Sequence, residues 1–141
     1  MMAGIRSKDT KPEKLIRSKL HQRGFRFRVS PRGVYGSPDI VLPRYSAVIF
    51  VHGCFWHSHE CHLFRLPGTR PEFWRAKLAR NRERDVAVHD VLESEGWRQL
   101  VVWECALKGS GRLDPDDVAD RIGRWIVGRR RYLEILGNLA K

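Results

Sequence analysis

The chain has 141 residues and carries 27 Lys plus Arg against 16 Asp plus Glu, a net charge of +11 with neutral histidines and a pI near 10.3. That length suffices for one domain with a hydrophobic core and falls short of two ordinary ones, and the charge balance points to a polyanionic partner, nucleic acid first. No stretch reaches the ~18 consecutive apolar residues of a membrane span and the polar N-terminus lacks the apolar core of a secretory signal, so a soluble, cytoplasmic protein without membrane association is expected.

Residues 1–9 are polar and basic without periodicity and read as an N-terminal arm. Thr10-Lys11-Pro12-Glu13 is a capping box, so a first helix starts there and buries Leu15, Ile16 and Leu20 before Gly24 ends it. Phe25, Phe27 and Val29 then alternate with Arg26, Arg28 and Ser30, the period of a half-buried strand with a basic outer face. A Gly/Pro/Ser-rich turn over 31–38 leads to a second strand at 39–42. The connection 43–46 is too short for a crossover helix, so the apolar run 47–51 is expected as its antiparallel neighbour.

Thr69-Arg70-Pro71-Glu72 repeats the capping pattern and opens a long helix to about residue 95, with a candidate interruption between Asn81 and Asp85. Gly96 stops it. The stretch 97–103, with Leu100-Val101-Val102, reads as a strand buried on both faces, and the helix before it permits parallel pairing with the third strand. Asp114-Pro115 starts a last helix with Val118, Ile122, Trp125 and Ile126 at helical spacing, ending near Gly128. Residues 129–141, which open with Arg129-Arg130-Arg131, read as a basic tail. The order α-β-β-β-α-β-α predicts one domain over 1–141: a mixed α/β sheet flanked by helices.

The chemistry concentrates just after the third strand. Cys54, His59, Cys61 and Cys105 offer four N/S ligands for a tetrahedral zinc, with His57 or His62 as alternatives to His59. Cys105 follows the fourth strand as Cys54 follows the third, so adjacent parallel pairing would bring them to one end of the sheet. Such a closed ligand set is structural rather than catalytic. Asp39, at the start of one strand, and Phe50-Val51-His52, at the end of its antiparallel neighbour, form a second candidate site, since a carboxylate and a main-chain carbonyl are hard ligands for Mg²⁺. On spacing alone, a Pro-Asp turn and a satisfied sheet-end histidine explain Asp39 and His52 better than catalysis does.

The blocks Gly36-Ser37-Pro38-Asp39, Val48 through His57 (VIFVHGCFWH), Phe73-Trp74 and Val101 through Leu107 (VVWECAL) resemble the very short patch repair endonucleases, the Vsr family. The resemblance runs from about Met2 to Gly128 and its central block is specific. It implies a restriction-endonuclease-like fold with a structural zinc, and a Mg²⁺-dependent nick 5′ to the mismatched thymine of a T:G pair in double-stranded DNA, with mismatch-repair proteins as candidate partners. Asp39 matches the family's metal-binding aspartate, with the Val51 carbonyl beside it; Val51 stands where a family member has threonine, a change that a main-chain ligand tolerates. His57 matches the histidine that acts on the attacking water, His52 a second active-site histidine, and Glu13 a carboxylate linked to that network. Phe55, Trp56 and Trp74 match aromatic residues wedged into DNA beside the mismatch, and Met2 and Ile5 match apolar arm residues. A mismatch has no two-fold symmetry, so a monomer that cuts one strand is expected.

Overall fold

The computed structural model describes residues 10–29, 31, 33–57, 59, 61 and 64–138. Three helices, α1 (Lys11–Gln22), α2 (Pro71–Ser94) and α3 (Pro115–Val127), surround a sheet of five strands, β1 (Arg28–Val29), β2 (Ile40–Leu42), β3 (Ala47–His52), β4 (Arg98–Trp103) and β5 (Tyr132–Ile135). The strands lie in sequence order, antiparallel from β1 to β3 and parallel from β3 to β5. The turn at 43–46 closes the β2–β3 hairpin with Ser46 in the left-handed region (φ 51°), and α2 supplies the crossover that a parallel β3–β4 pair requires.

Period-two alternation along the strands sends side chains to two cores. Ile40, Leu42, Ala47, Ile49, Leu100, Val102 and Ile135 face α1 and α3, where Ile16, Leu20, Val118, Ile122, Trp125 and Ile126 meet them. Val41, Val48, Phe50 and Val101 face the other way, toward Val88 and Leu92 of α2. At roughly 1.5–3 kcal/mol for each fully buried large aliphatic side chain, the first and larger layer dominates stability. The second is thin because α2 buries just Leu78 and Leu92 and leaves a cleft beside the sheet.

Several expectations need correction. The supposed tail contributes β5: Leu133 and Ile135 pair with Leu100 and Val102, and Ile135 is fully buried. The first strand shrinks to Arg28–Val29, both exposed, while Phe25 and Phe27 pack against the first core from outside the ladder. The long helix is uninterrupted through Asn81 and Asp85, and it begins without a side-chain cap, its N-cap being Arg70 in the left-handed region (φ 53°). The cap at α1 is as expected, with the Glu13 amide donating to Thr10 Oγ1 at 3.4 Å. Arg98 closes the other end of the fold. Its guanidinium donates to the carbonyls of Trp125, Ile126 and Arg130 at 2.5, 3.1 and 3.0 Å, which satisfies groups that the end of α3 leaves open. Among the described residues, no helix is long and apolar enough to cross a membrane.

Candidate active site and metal centre

The β2–β3 hairpin brings Asp39 to the C-terminal end of β3. The Asp39 amide donates to the Ile49 carbonyl at 3.1 Å, and Asp39 Oδ2 accepts the Val51 amide at 2.6 Å. Burial is the largest influence on this carboxyl and pushes it up to about 7. The Val51 hydrogen bond pulls the other way, the negative charge of Glu13 adds to the rise, and Arg17 opposes it. Glu13 is itself buried in the first turn of α1, so the capping box that starts the helix also delivers a second carboxylate toward Asp39. A buried carboxylate with another acid nearby is a site that gains from a cation.

His52 ends β3 and stacks on His57, with ring centroids 3.7 Å apart and planes 6° apart. Burial, then the neighbouring His57, lowers the His52 pKa to about 3, which Asp85 only partly opposes, so this imidazole is neutral at physiological pH. Its buried Nδ1 has no hydrogen-bond partner among the described residues. His57 Nδ1 lies 2.5 Å from Asp85 Oδ2. An ionised carboxylate only accepts, so the contact assigns the proton to Nδ1 and leaves the Nε2 lone pair available. His52, His57 and Asp85 thus form a compact group whose ligand atoms lie within 4.8 Å of one another. All three line a cleft of about 1050 Å³ that also includes Asp39 and Val51.

Asp85 is not singled out by sequence. It lies in Arg80-Asn81-Arg82-Glu83-Arg84-Asp85, a charge-dense run that reads as a candidate interruption of the helix. A usable signal was the i, i+4 pair Asn81 and Asp85, which share a helix face: Asn81 Nδ2 donates to the Trp56 carbonyl at 3.1 Å while Asp85 meets His57. Near the same helix, Gly36 (φ +78°) packs so closely on Val88 that a Cβ would collide with its side chain. That contact holds the loop before Asp39 against α2.

A few residues further on, Cys54, His59, Cys61 and Cys105 converge with their ligand atoms within 4.8 Å of one another. Parallel β3 and β4 are in register at His52 and Trp103, which puts the residues after these strands at one end of the sheet, as the strand argument required. Cys105 Sγ is 3.6 Å from His59 Nδ1. For a tetrahedral zinc with Zn–S of about 2.3 Å and Zn–N of about 2.05 Å, the S to N edge is about 3.6 Å. Burial pushes the Cys54 and Cys105 thiols up, a desolvation that a bound cation offsets. The Gly137 amide donates to Cys105 Sγ at 3.4 Å, and the Cys54 amide donates to Glu104 Oε1 at 3.2 Å. The donor set fits zinc. Of the two alternatives to His59, His57 belongs to the Asp85 group instead, and His62 lies outside the described residues.

Trp103 joins the two groups. Its ring stacks on His59 at 4.3 Å and presents an edge arrangement to His52 and His57, and its Nε1 donates to Glu134 Oε1 on β5 at 2.8 Å. On the outer side Phe55, Trp56 and Trp74 meet pairwise at centroid distances of 5.1 to 6.0 Å, all partly buried. Trp74, expected at an exposed early helix position, is half-buried; its neighbour Phe73 is the exposed ring, at 43%. Met2 and Ile5 lie outside the described residues.

Comparison with known proteins identifies the family. Residues 1–63 match the family model described as DNA mismatch endonuclease Vsr. Over 134 residues the chain is 46% identical to the DNA mismatch endonuclease Vsr of Escherichia coli K12, covering 95% of this chain and 86% of that protein. It is 47% identical over 114 residues to the type II nicking enzyme V.XorIIP of Xanthomonas oryzae pv. oryzae, covering 81% and 84%, and 45% identical over 108 residues to V.NmeAIP of Neisseria meningitidis, covering 77% of each. The mixed sheet flanked by helices is the restriction-endonuclease-like fold of that family. The chain belongs to the Vsr family of DNA mismatch endonucleases.

Proposed function

We propose that this protein nicks one strand of double-stranded DNA 5′ to the mismatched thymine of a T:G pair, in a Mg²⁺-dependent hydrolysis that initiates very short patch mismatch repair. The observation that carries the reading is the His57–Asp85 hydrogen bond in a cleft shared with Asp39. Asp85 fixes the tautomer of His57, whose Nε2 takes a proton from the attacking water, and the carboxylate then stabilises the imidazolium that forms. His52 is the second catalytic histidine. Neutral, with a polar atom unspent, it is suited to a phosphate oxygen rather than to a second proton transfer.

Asp39 and the Val51 carbonyl would hold Mg²⁺, with Glu13 adding negative charge behind them. When bound, the metal supplies electrostatic stabilisation of charge developing on the scissile phosphate. Valine serves at position 51 because a main-chain oxygen is independent of the side chain. Zinc on Cys54, His59, Cys61 and Cys105 is structural, its ligand set leaving no open position. Phe55, Trp56 and Trp74 form one aromatic cluster that would enter the duplex beside the mismatch, where unstacking is cheapest.

A related specificity is a second reading, favoured by relatives named as type II nicking enzymes. Single-turnover assays on a panel of mismatches in randomised flanks, with and without Mg²⁺, separate the two. Nicking at T:G well above paired DNA is expected. Equal cleavage of paired duplex, or double-strand breaks as first product, would overturn the reading.

A further inference from the structure

The end of the sheet remote from His52, His57 and Asp85 carries a second concentration of chemistry, beside α3 and distinct from the cleft, whose wall along α2 reaches Arg131 and Tyr132. Gln99 donates its backbone amide to the Arg131 carbonyl at 2.8 Å, so residues 129–131 lie where β4 and β5 begin, whereas His52 and Trp103 lie where β3 and β4 finish. Six residues of β4 separate the two ends, roughly 17 Å at strand rise. Arg121 and Arg124 on α3, with Arg129 and Arg130 after it, surround a concavity of about 390 Å³ whose wall includes Trp125 and Leu133.

Charge in this region is arranged asymmetrically. The acids of α3 sit in its first half, where Asp116 pairs with Lys19 and Arg23 and Asp120 with Arg23. Glu134, on the adjoining strand, is engaged by Trp103 and Tyr132. Among the described residues, none of the guanidinium groups of Arg121, Arg124, Arg129 and Arg130 pairs with a carboxylate. Arg98 differs from them, because its donors are spent on α3 carbonyls and its guanidinium covers the Trp125 ring at 4.4 Å. The dipole of α3 accounts for one cation in its last turn, not for two more beyond the helix. A second observation comes from the concavity wall. Two buried side-chain nitrogens lack a partner among the described residues: His52 Nδ1, in the cleft proposed to bind phosphate, and Nε1 of Trp125.

We propose that this arginine concavity is a second phosphate-binding surface, which holds the backbone of a nucleic-acid duplex segment at the opposite end of the sheet from His52, His57 and Asp85. Several guanidinium groups around one hollow suit phosphate, which they bind in forked, charge-assisted pairs. One molecule then engages two duplex segments, either distant parts of a long substrate or two separate duplexes. The surface works independently of the nicking reading and is tested by binding alone.

The test uses the full-length protein, its Arg124→Gln/Arg129→Gln/Arg130→Gln variant, and two short, fully paired duplexes carrying a donor and an acceptor dye. The parent should bring both duplexes into one complex, and the variant should bind a single duplex with parent affinity but lose the energy transfer. On a long duplex the slope of log affinity against log salt should fall by about 2–3 in the variant, at about 0.9 per phosphate contact. One duplex per parent molecule at saturation, or an unchanged slope, would overturn the proposal. So would displacement of the second duplex by a polyglutamate peptide at lower charge concentration than by unlabelled duplex, since that would mark an acidic protein segment as the better ligand.

Discussion

The two side-chain clusters at the C-terminal end of β3 and β4 are built from the same materials and end in opposite states. The Cys54/His59/Cys61/Cys105 group is closed around its own centre, with two fully buried cysteines and protein amides directed at Cys105 sulfur and at Glu104. The Asp39/His52/His57/Asp85 group opens onto a cleft of about 1050 Å³ and keeps a buried ring nitrogen without a partner among the described residues. On the proposed roles, a closed Cys/His set suits rigidity, whereas a group that leaves capacity for a ligand suits reactivity. Trp103 touches both, so the proposed catalytic centre is braced directly against the proposed zinc centre.

If that division holds, Asp39→Asn gives the largest effect: T:G nicking in Mg²⁺ falls by about 10³-fold or more while mismatch binding stays within about an order of magnitude, because phosphate contacts supply affinity separately. Nicking near the parent rate in a single-turnover assay would break the comparison. Next, Cys105→Ser should lose zinc and about 3 kcal/mol of stability, about 10 °C in the thermal midpoint for a chain of this size. Zinc content and melting measured on one preparation check this, and a folded, metal-free variant with the parent midpoint would contradict it. Asp85→Asn should slow the single-turnover rate by about 10²-fold by disturbing the His57 tautomer, with zinc content and melting unchanged.

A smaller effect sharpens the contrast through pH. Burial raises Asp39 from 3.8 to about 7, so its contribution to stability is fully present below pH 3.8 and is lost as pH rises toward 7. His52 is lowered from 6.5 to about 3; its contribution is present above pH 6.5 and is lost as pH falls toward 3. The two slopes oppose each other over almost the same window. Zinc-loaded, magnesium-free variants should therefore depart from the parent's stability profile in urea in opposite directions between pH 4 and 6.5. Relative to the parent, Asp39→Asn should become steadily more stable with rising pH, and His52→Gln steadily less. Parallel profiles for all three proteins would show that the cleft is not desolvated as described.

Strand periodicity and capping carried most of the fold into the sequence: the runs 39–42, 47–51 and 97–103 are apolar enough to be buried whatever surrounds them, and Gly24 and Gly96 mark where helices stop. Adjacency followed from connection length, and with it the convergence of Cys54 and Cys105. β5 was hidden because Arg129-Arg130-Arg131 dominates its neighbourhood and Tyr132–Ile135 is a four-residue strand whose burial is conferred by β4 rather than by its own pattern. Asp85 was hidden for a related reason. Its role depends on α2 crossing above the end of β3, a tertiary fact that leaves no periodic trace in a helix whose buried residues are just Leu78 and Leu92. The aromatic cluster was legible by residue type, but not the burial of Trp74 relative to Phe73.

The last strand also bears on when the enzyme becomes whole during its synthesis. Trp103 is steadied by Glu134, and Cys105 receives the Gly137 amide, with Gly137 so close to the Cys105 carbonyl that a Cβ would overlap it. Both supports come from residues 134–137, synthesised long after residues 54–61. The hairpin of β2 and β3 can form early from local contacts, whereas β3, β4 and β5 pair across long stretches of intervening chain, the slow class of contact. A nascent chain thus carries every residue of the proposed catalytic centre before Glu134 and Gly137 are made, and the bracing of Trp103 and Cys105 is added last.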